Sequence, residues 1–468
     1  MHKLIFLGFC TLYVLSIGTR FYSSDAQVMY ETSRALAFEQ TVALPDDFGL
    51  PQIRRGADGR WFSQYDPGLP LIAAPVVGVT DWFARINLWN RYAFSAYSVV
   101  WISAFGAALA LMALYDLACR LEMSKRGALI LTLVAGLCTP LWPYARLFFA
   151  EGLLAGLLIF AFGMTYRARR WSILLAGLSL AVAMVVRAAT VIYVIPLLWL
   201  VWQLPTYRTV NRRDTAVPRP GGFQTLPYKI AYHLRRGGVG AGVEPYLLLS
   251  LFPALAILIL LAHNLIRFDS LLTTGYAGQS FDNFPLVGAF GLLFSPGRSV
   301  FLYAPPLILS AALFPRFWRA NRVMAQAILM AGVIAPLVYG SWWAWGGGVS
   351  WGPRFLVPLL PLWMLPLGTA SGRERWALAG LSAAGFLIAI LGVFTDVNRH
   401  DVVNYSLAGS PITGAMKTAL AGHIEAPGIF QLQRMGWLEL PATVVPALLV
   451  LCSVVSFVLI MVKAINEQ

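Results

Sequence analysis

Two carboxylates, Asp25 and Glu31, follow directly on the first apolar run of the chain. Further along, "WPYARLFFAEG" sets Arg146 ahead of Glu151, "MVVRAAT" isolates Arg187, and "HNLIRFDS" supplies Arg267 and Asp269. "LLFSPGRSVFLYAPP" supplies Arg298, and "SWWAWGGGVSWGPRFLVPLLP" places Arg354 behind Trp342, Trp343, Trp345 and Trp351. A carboxylate held near a hydroxyl can remove its proton. Guanidinium groups suit phosphate, which they can grip with two parallel donors. Aromatic and glycine residues shape a groove for an apolar tail or a sugar face. A sugar phosphate carried on a membrane lipid would use every part of this inventory. One such charge at the end of an apolar run ordinarily snorkels to the interface. Six sites converging on one side imply a polar cavity there.

These residues are positioned by long apolar segments. Mean hydropathy is +0.68 and only 12% of the residues are charged. Runs of about 20 apolar residues, enough to cross a hydrocarbon core, recur along the chain. They fall at 3–19, 96–115, 127–143, 148–165, 172–186, 189–203, 246–263, 300–314, 323–340, 355–369, 376–394 and 440–463. The expectation is an all-α polytopic membrane protein of about 12 helices, forming one unit over residues 1–468. The segment 315–369 holds six prolines, so individual helices there are interrupted.

Charge orients the chain. With the N-terminus inside, the inner segments carry 20 Lys and Arg against 6 Asp and Glu, and the outer segments carry 15 of each. The formal charge of +14 therefore lies on one face, as the positive-inside asymmetry requires. That bias answers to anionic lipid and gives no reason to expect nucleic acid. Asp25 and Glu31 then face outward. The small residues of "SIGT" leave open cleavage of the first segment as a signal peptide, with the following loop outside in either case.

Three hydrophilic stretches stand out. Residues 20–95 form the first outer loop. Its middle reads as turn material, and its last third, around 69–85, reads as an amphipathic helix lying along the interface. Residues 204–245 are a basic inner insert, and residues 395–438 a late outer loop. Cys10, Cys119, Cys138 and Cys452 are far apart and beside apolar runs, which fits neither a disulfide framework nor a metal site. No phosphate-cradling glycine motif marks nucleotide use.

The stretches "SSDAQVMYETSRALA", "GRWFSQYDPGLPLIAAP", "YARLFFAEGLLA", "RFDSLLTTGY", "LLFSPGRSVFLYAPP" and "WWAWGGGVSWGPRFLVPLLP" recur in the order and placement of one known group. Over roughly residues 4–400 the chain resembles the integral-membrane GT-C glycosyltransferases. Within them it is similar to the bacterial branch related to protein O-mannosyltransferases and lipid A aminoarabinose transferases. The resemblance implies a GT-C fold and an inverting transfer of a sugar from a polyprenyl phosphate to an acceptor hydroxyl. The acceptor would be a glycolipid, polysaccharide or protein. The reaction would face the periplasm or cell exterior, in the inner membrane, with no cofactor and no metal. Asp25 matches the family's base, Arg354 its "GPRF" arginine, and Arg146 and Glu151 the Arg and Glu of its short loop. Donor binding would fall to Arg354, Arg146, Arg298 and Tyr65. Glu31, Glu151, Arg267, Tyr276 and Trp351 would line the acceptor side or the cavity, with Glu31 as the reserve base. One departure stands out: many relatives read Lys-Tyr-Gly-Pro-Gly where this chain has Gln64-Tyr65-Asp66-Pro67-Gly68. Without that lysine, phosphate neutralisation rests more heavily on arginines.

Two other readings use the same composition. A transporter or flippase also has a dozen spans, but it would put its charges near the midplane. A non-catalytic envelope subunit would need no base. A further alternative concerns Asp25 itself, since "SSD" ahead of a periodic stretch is also a helix-cap signal.

Overall fold

The computed structural model describes residues 1–18, 21–203, 243–396, 410–423 and Gly428. Most of the basic insert, much of the late loop and the whole of the expected span 440–463 lie outside the described residues. What is described is almost entirely helical.

The chain begins with α1 (His2–Leu15) and α2 (Ser24–Glu39). Three short strands follow, β1 (Ala43–Leu44), β2 (Ile53–Arg55) and β3 (Trp61–Ser63), then α3 (Gly68–Ile86). The strands form an antiparallel sheet in the order β1-β3-β2, with Phe62 opposite both Ala43 and Arg54. The sheet is a small exception in a fold that is helical almost throughout its described residues. Strands of two or three residues are too short to show an alternating pattern.

The central helices are α4 (Arg91–Val99), α5 (Trp101–Arg120), α6 (Lys125–Leu137), α7 (Leu141–Ala145), α8 (Ala150–Tyr166), α9 (Arg170–Val186) and α10 (Val194–Gln203). A 3₁₀ segment, Ala188–Tyr193, joins the last two. Past the insert come α11 (Glu244–Phe268), α12 (Pro285–Phe294), α13 (Val300–Tyr303), α14 (Pro306–Ala320) and α15 (Arg322–Ser341). The prolines of 353–366 break the next run into 3₁₀ Arg354–Leu359, α16 (Leu360–Trp363) and 3₁₀ Leu365–Thr369, as missing N–H donors dictate. The last described helices are α17 (Glu374–Phe394) and α18 (Pro411–Leu420). The stretch 264–299 lies between two of the apolar runs. It holds α12, whose 10 residues are too few to register as a crossing.

Five helical stretches are long and apolar enough to cross a membrane: Gly68–Ile86, Arg91–Arg120, Glu244–Phe268, Arg322–Ser341 and Glu374–Phe394. α11 and α17 leave most of their apolar surface exposed, with Leu258 and Leu387 more than half accessible. Hydrocarbon solvates such faces and water does not, so the chain is a membrane protein. The core lies where α5, α8, α9 and α11 pack side by side, with α1 against α5. α5 and α8 meet backbone to backbone. A Cβ on Gly106 would strike the Cα of Leu153, and one on Gly156 would strike the carbonyl of Gly106. Small residues permit this approach, which in lipid gains van der Waals contact without a hydrophobic drive.

Candidate active site

The site begins at the N-terminus of α2. Ser23 is extended (φ −153°), and its hydroxyl accepts the N–H of Asp25 at 3.0 Å. Ser23 is thus the cap, and the Asp25 carboxylate is left free of that duty. It turns to Arg354, whose Nη1 donates to Asp25 Oδ2 at 2.6 Å. The Arg354 Nε donates to Glu151 Oε1 at 2.8 Å, and the Arg187 Nη2 donates to the same oxygen at 2.6 Å. Four charged groups therefore form a chain, Asp25–Arg354–Glu151–Arg187, with two positive and two negative charges. Balanced pairing is what allows ions to be enclosed, because an isolated charge there would cost several kcal/mol.

Each member is delivered by a different element. Asp25 rides the first turn of α2, and Arg354 opens the 3₁₀ segment after the glycine loop. Arg187 leaves α9 in an extended conformation. Glu151 sits in the first turn of α8, and Ser103 on α5 donates to the Phe149 carbonyl just before it at 2.6 Å. The close α5–α8 packing thus reaches into the site. Rings support the cations: Arg354 lies 4.0 Å above Phe149, and Arg187 lies 5.7 Å from the ring centre of Phe355. Exposure separates the two acids. The Glu151 side chain is fully enclosed, whereas Asp25 keeps 18% of its side-chain surface accessible.

Around Asp25, Gln52 Nε2 donates to Ser24 Oγ at 2.7 Å and lies 3.4 Å from Asp25 Oδ1. The Tyr65 phenol lies near the Asp25 carboxylate. Burial, then the Asp25 charge, push the phenol well above its ordinary pKa, so it stays protonated. Tyr276 meets the Tyr65 ring edge-on at 6.3 Å. Next to Tyr65, the Asp66 Oδ2 accepts the N–H of Ala188 at 2.7 Å. That bond ties the first loop to the turn leaving Arg187. Burial pushes the Asp66 carboxyl up to about 6, against the opposing pull of the Ala188 N–H, Arg267 and Arg187.

The remaining candidates are turned to other partners. Arg146 donates to the Tyr22 hydroxyl (2.9 Å) and to the Val393 carbonyl, and stacks on the Tyr22 ring. Arg298 donates to the carbonyls of Ser350 (2.6 Å), Gly348 (2.7 Å) and Gly352 (3.2 Å). Arg267 is buried and donates to the Ser63 carbonyl at 2.7 Å, clasping β3 to α11. Glu31 accepts from Tyr92 (3.0 Å) and pairs with Arg34 (3.2 Å). Trp351 packs edge-on against Tyr303 at 5.3 Å. Gln64, in the place of the family's lysine, accepts from Arg54 and Gln279.

The sequence reading noticed Arg187 but gave it no role, and it assigned nothing to Gln52 or Asp66. The signal for Arg187 was its isolation between two apolar runs; its partner on α8 depends on how the helices pack. Among the described residues, no group of three or more His, Cys, Asp or Glu side chains is arranged to hold a metal ion.

No family model matches the chain, and no curated protein does. Among solved structures, ArnT from Cupriavidus metallidurans bound to undecaprenyl phosphate is similar at 14% identity and a TM-score of 0.49. The same protein in its apo state is similar at 14% identity and a TM-score of 0.44. Each comparison covers 80% of this chain and 61% of the ArnT chain, so the chain spans about three-fifths of the length of the structures it matches.

Proposed function

We propose that the chain is an inverting glycosyltransferase of the GT-C type, moving a sugar from a polyprenyl phosphate to an acceptor hydroxyl. The observation that carries this reading is the Asp25–Arg354–Glu151–Arg187 chain. It gathers a partly accessible carboxylate and two guanidinium groups from sequence positions more than 300 residues apart, where Arg354 meets Asp25. In a single displacement the acceptor oxygen attacks the anomeric carbon from the face opposite the phosphate. The anomeric C–O bond breaks, its electron pair passes to the phosphate oxygen, and Asp25 takes the acceptor proton. Arg354 and Arg187 supply positive charge toward the leaving phosphate, a task the proposal gives to guanidinium groups and not to a metal ion.

The reading includes the outer face as the site of reaction, in the inner membrane, with about 12 crossings in all. It takes α3 as the interfacial helix, supported by the exposed apolar stripe of Val79, Trp82, Phe83 and Ile86 beside a buried Asp81. The acceptor is a glycolipid, polysaccharide or protein hydroxyl. Asp25→Asn tests the core of the proposal. Ser23 still caps α2, so the fold should hold, while transfer from a panel of radiolabelled polyprenyl-phosphate sugars should fall by about 10²–10⁴-fold, the usual worth of a general base. Near-normal transfer by a well-folded Asp25→Asn protein would place the base elsewhere.

A further inference from the structure

We propose that the donor phosphate takes the place of the Asp25 carboxylate on Arg354, so that the base is released only when donor is bound. This rests on the glycosyltransferase reading above and specifies how its site is regulated. Arg354 is held from two sides, by Asp25 Oδ2 on Nη1 at 2.6 Å and by Glu151 Oε1 on Nε at 2.8 Å. The two sides are not equivalent. Glu151 is fully enclosed and is tied a second time by Arg187, so it anchors the guanidinium. Asp25 lies on the accessible side, with Gln52 beside its other oxygen and Tyr65 nearby. An anion that displaced Asp25 would gain Arg354 Nη1 on this accessible side.

The charges give that competition a purpose. Paired to Arg354, Asp25 Oδ2 has a lone pair engaged by a guanidinium N–H too weakly acidic to give up its proton. Displaced, the same oxygen can accept the acceptor's proton. During transfer, negative charge disappears from Asp25 as the proton arrives and appears on the phosphate as the C–O bond breaks. Arg354, anchored by Glu151, faces both groups and serves whichever carries the charge. Binding is then ordered: donor first, then acceptor, with the base masked in the empty site.

The test is the affinity of the solubilised full chain for undecaprenyl phosphate alone, measured by calorimetry for wild type and Asp25→Asn. Removing the competing carboxylate should tighten binding by about 2- to 5-fold, the scale of one partly exposed ion pair. Adding Arg354→Ala to Asp25→Asn should abolish that gain, which ties it to the guanidinium. Equal or weaker binding by Asp25→Asn overturns the exchange. If the asparagine protein is not monodisperse, Asp25→Ala removes the same competitor and carries the same expectation. Transfer activity reports separately. An inactive Asp25→Asn with unchanged affinity keeps the base and refutes the exchange, whereas an active one with tighter binding does the reverse.

Discussion

Asp66 shows how a single residue can couple the loop to the ion chain. Its carboxylate accepts the Ala188 N–H one residue past Arg187, and it follows directly on Tyr65, which lies near Asp25. Burial raises its pKa to about 6, so the folded state favours the protonated form. Stability from this group is present at acidic pH and is lost as pH rises from about 4, where the unfolded carboxyl ionises, through 6. Asp66→Asn keeps an oxygen for Ala188 and removes the buried charge. It should raise the melting temperature at pH 8, by on the order of 2–3 kcal/mol in stability, and change little at pH 4. Thermal melts of the solubilised protein at the two pH values check this, and a uniform destabilisation would sink it. At this scale the sequence was informative about types and poor about pairs. Asp25, Glu151 and Arg354 stood out because ionisable residues at the ends of apolar runs are costly to keep. Arg298 and Arg267 stood out for the same reason, yet backbone carbonyls satisfy much of their hydrogen bonding, and no sequence pattern distinguishes the two uses.

The glycine loop is the clearest case at the level of elements. Gly347, Gly348 and Gly352 adopt φ of 77°, 67° and 66°, values that only glycine reaches without strain. Their conformation turns the carbonyls of Gly348, Ser350 and Gly352 toward one guanidinium, that of Arg298. The loop ends two residues before Arg354, so Arg298 helps set the position of Arg354 without belonging to its ion chain. Arg298→Lys keeps the charge but cannot reach three carbonyls. It should cost about 2–4 kcal/mol in stability, leaving buried acceptors unpaired, and lower turnover with it. Were Arg298 a donor ligand only, the lysine variant would lose donor affinity at unchanged stability; thermal unfolding beside a donor titration separates the two. The sheet and α12 were invisible to sequence reading because strands of two or three residues show no alternation and a helix of 10 residues is too short to register as a crossing. The cap of α2 was visible, as "SSD", but the pattern alone did not say which of its residues carries the duty.

For the molecule as a whole, composition was enough for the helical, membrane-spanning class, since mean hydropathy of +0.68 excludes an ordinary soluble chain. Orientation is the part to test. The split of basic residues places Asp58, exposed in the first loop, on the outer face, and Lys125, exposed at the start of α6, on the inner face. In intact cells, a membrane-impermeant maleimide should label Asp58→Cys readily and Lys125→Cys only after permeabilisation, in a background lacking native cysteines. The opposite pattern would put the site on the wrong side for a lipid-linked donor. The order of the segments was legible because each crossing must be long and apolar. Their packing was not, because lipid-facing and protein-facing apolar surfaces look alike in sequence.

The lengths of two helices have a consequence for depth. α11 faces lipid with 25 residues, whereas α8, enclosed by its neighbours, has 17. At 1.5 Å per residue the inner helix is shorter by about 12 Å. Glu151 lies in the first turn of that shorter helix and is fully enclosed. For the proposed lipid-linked donor, a phosphate reaching the guanidinium groups beside it would meet them in a low dielectric, where each charge contact is stronger than in water.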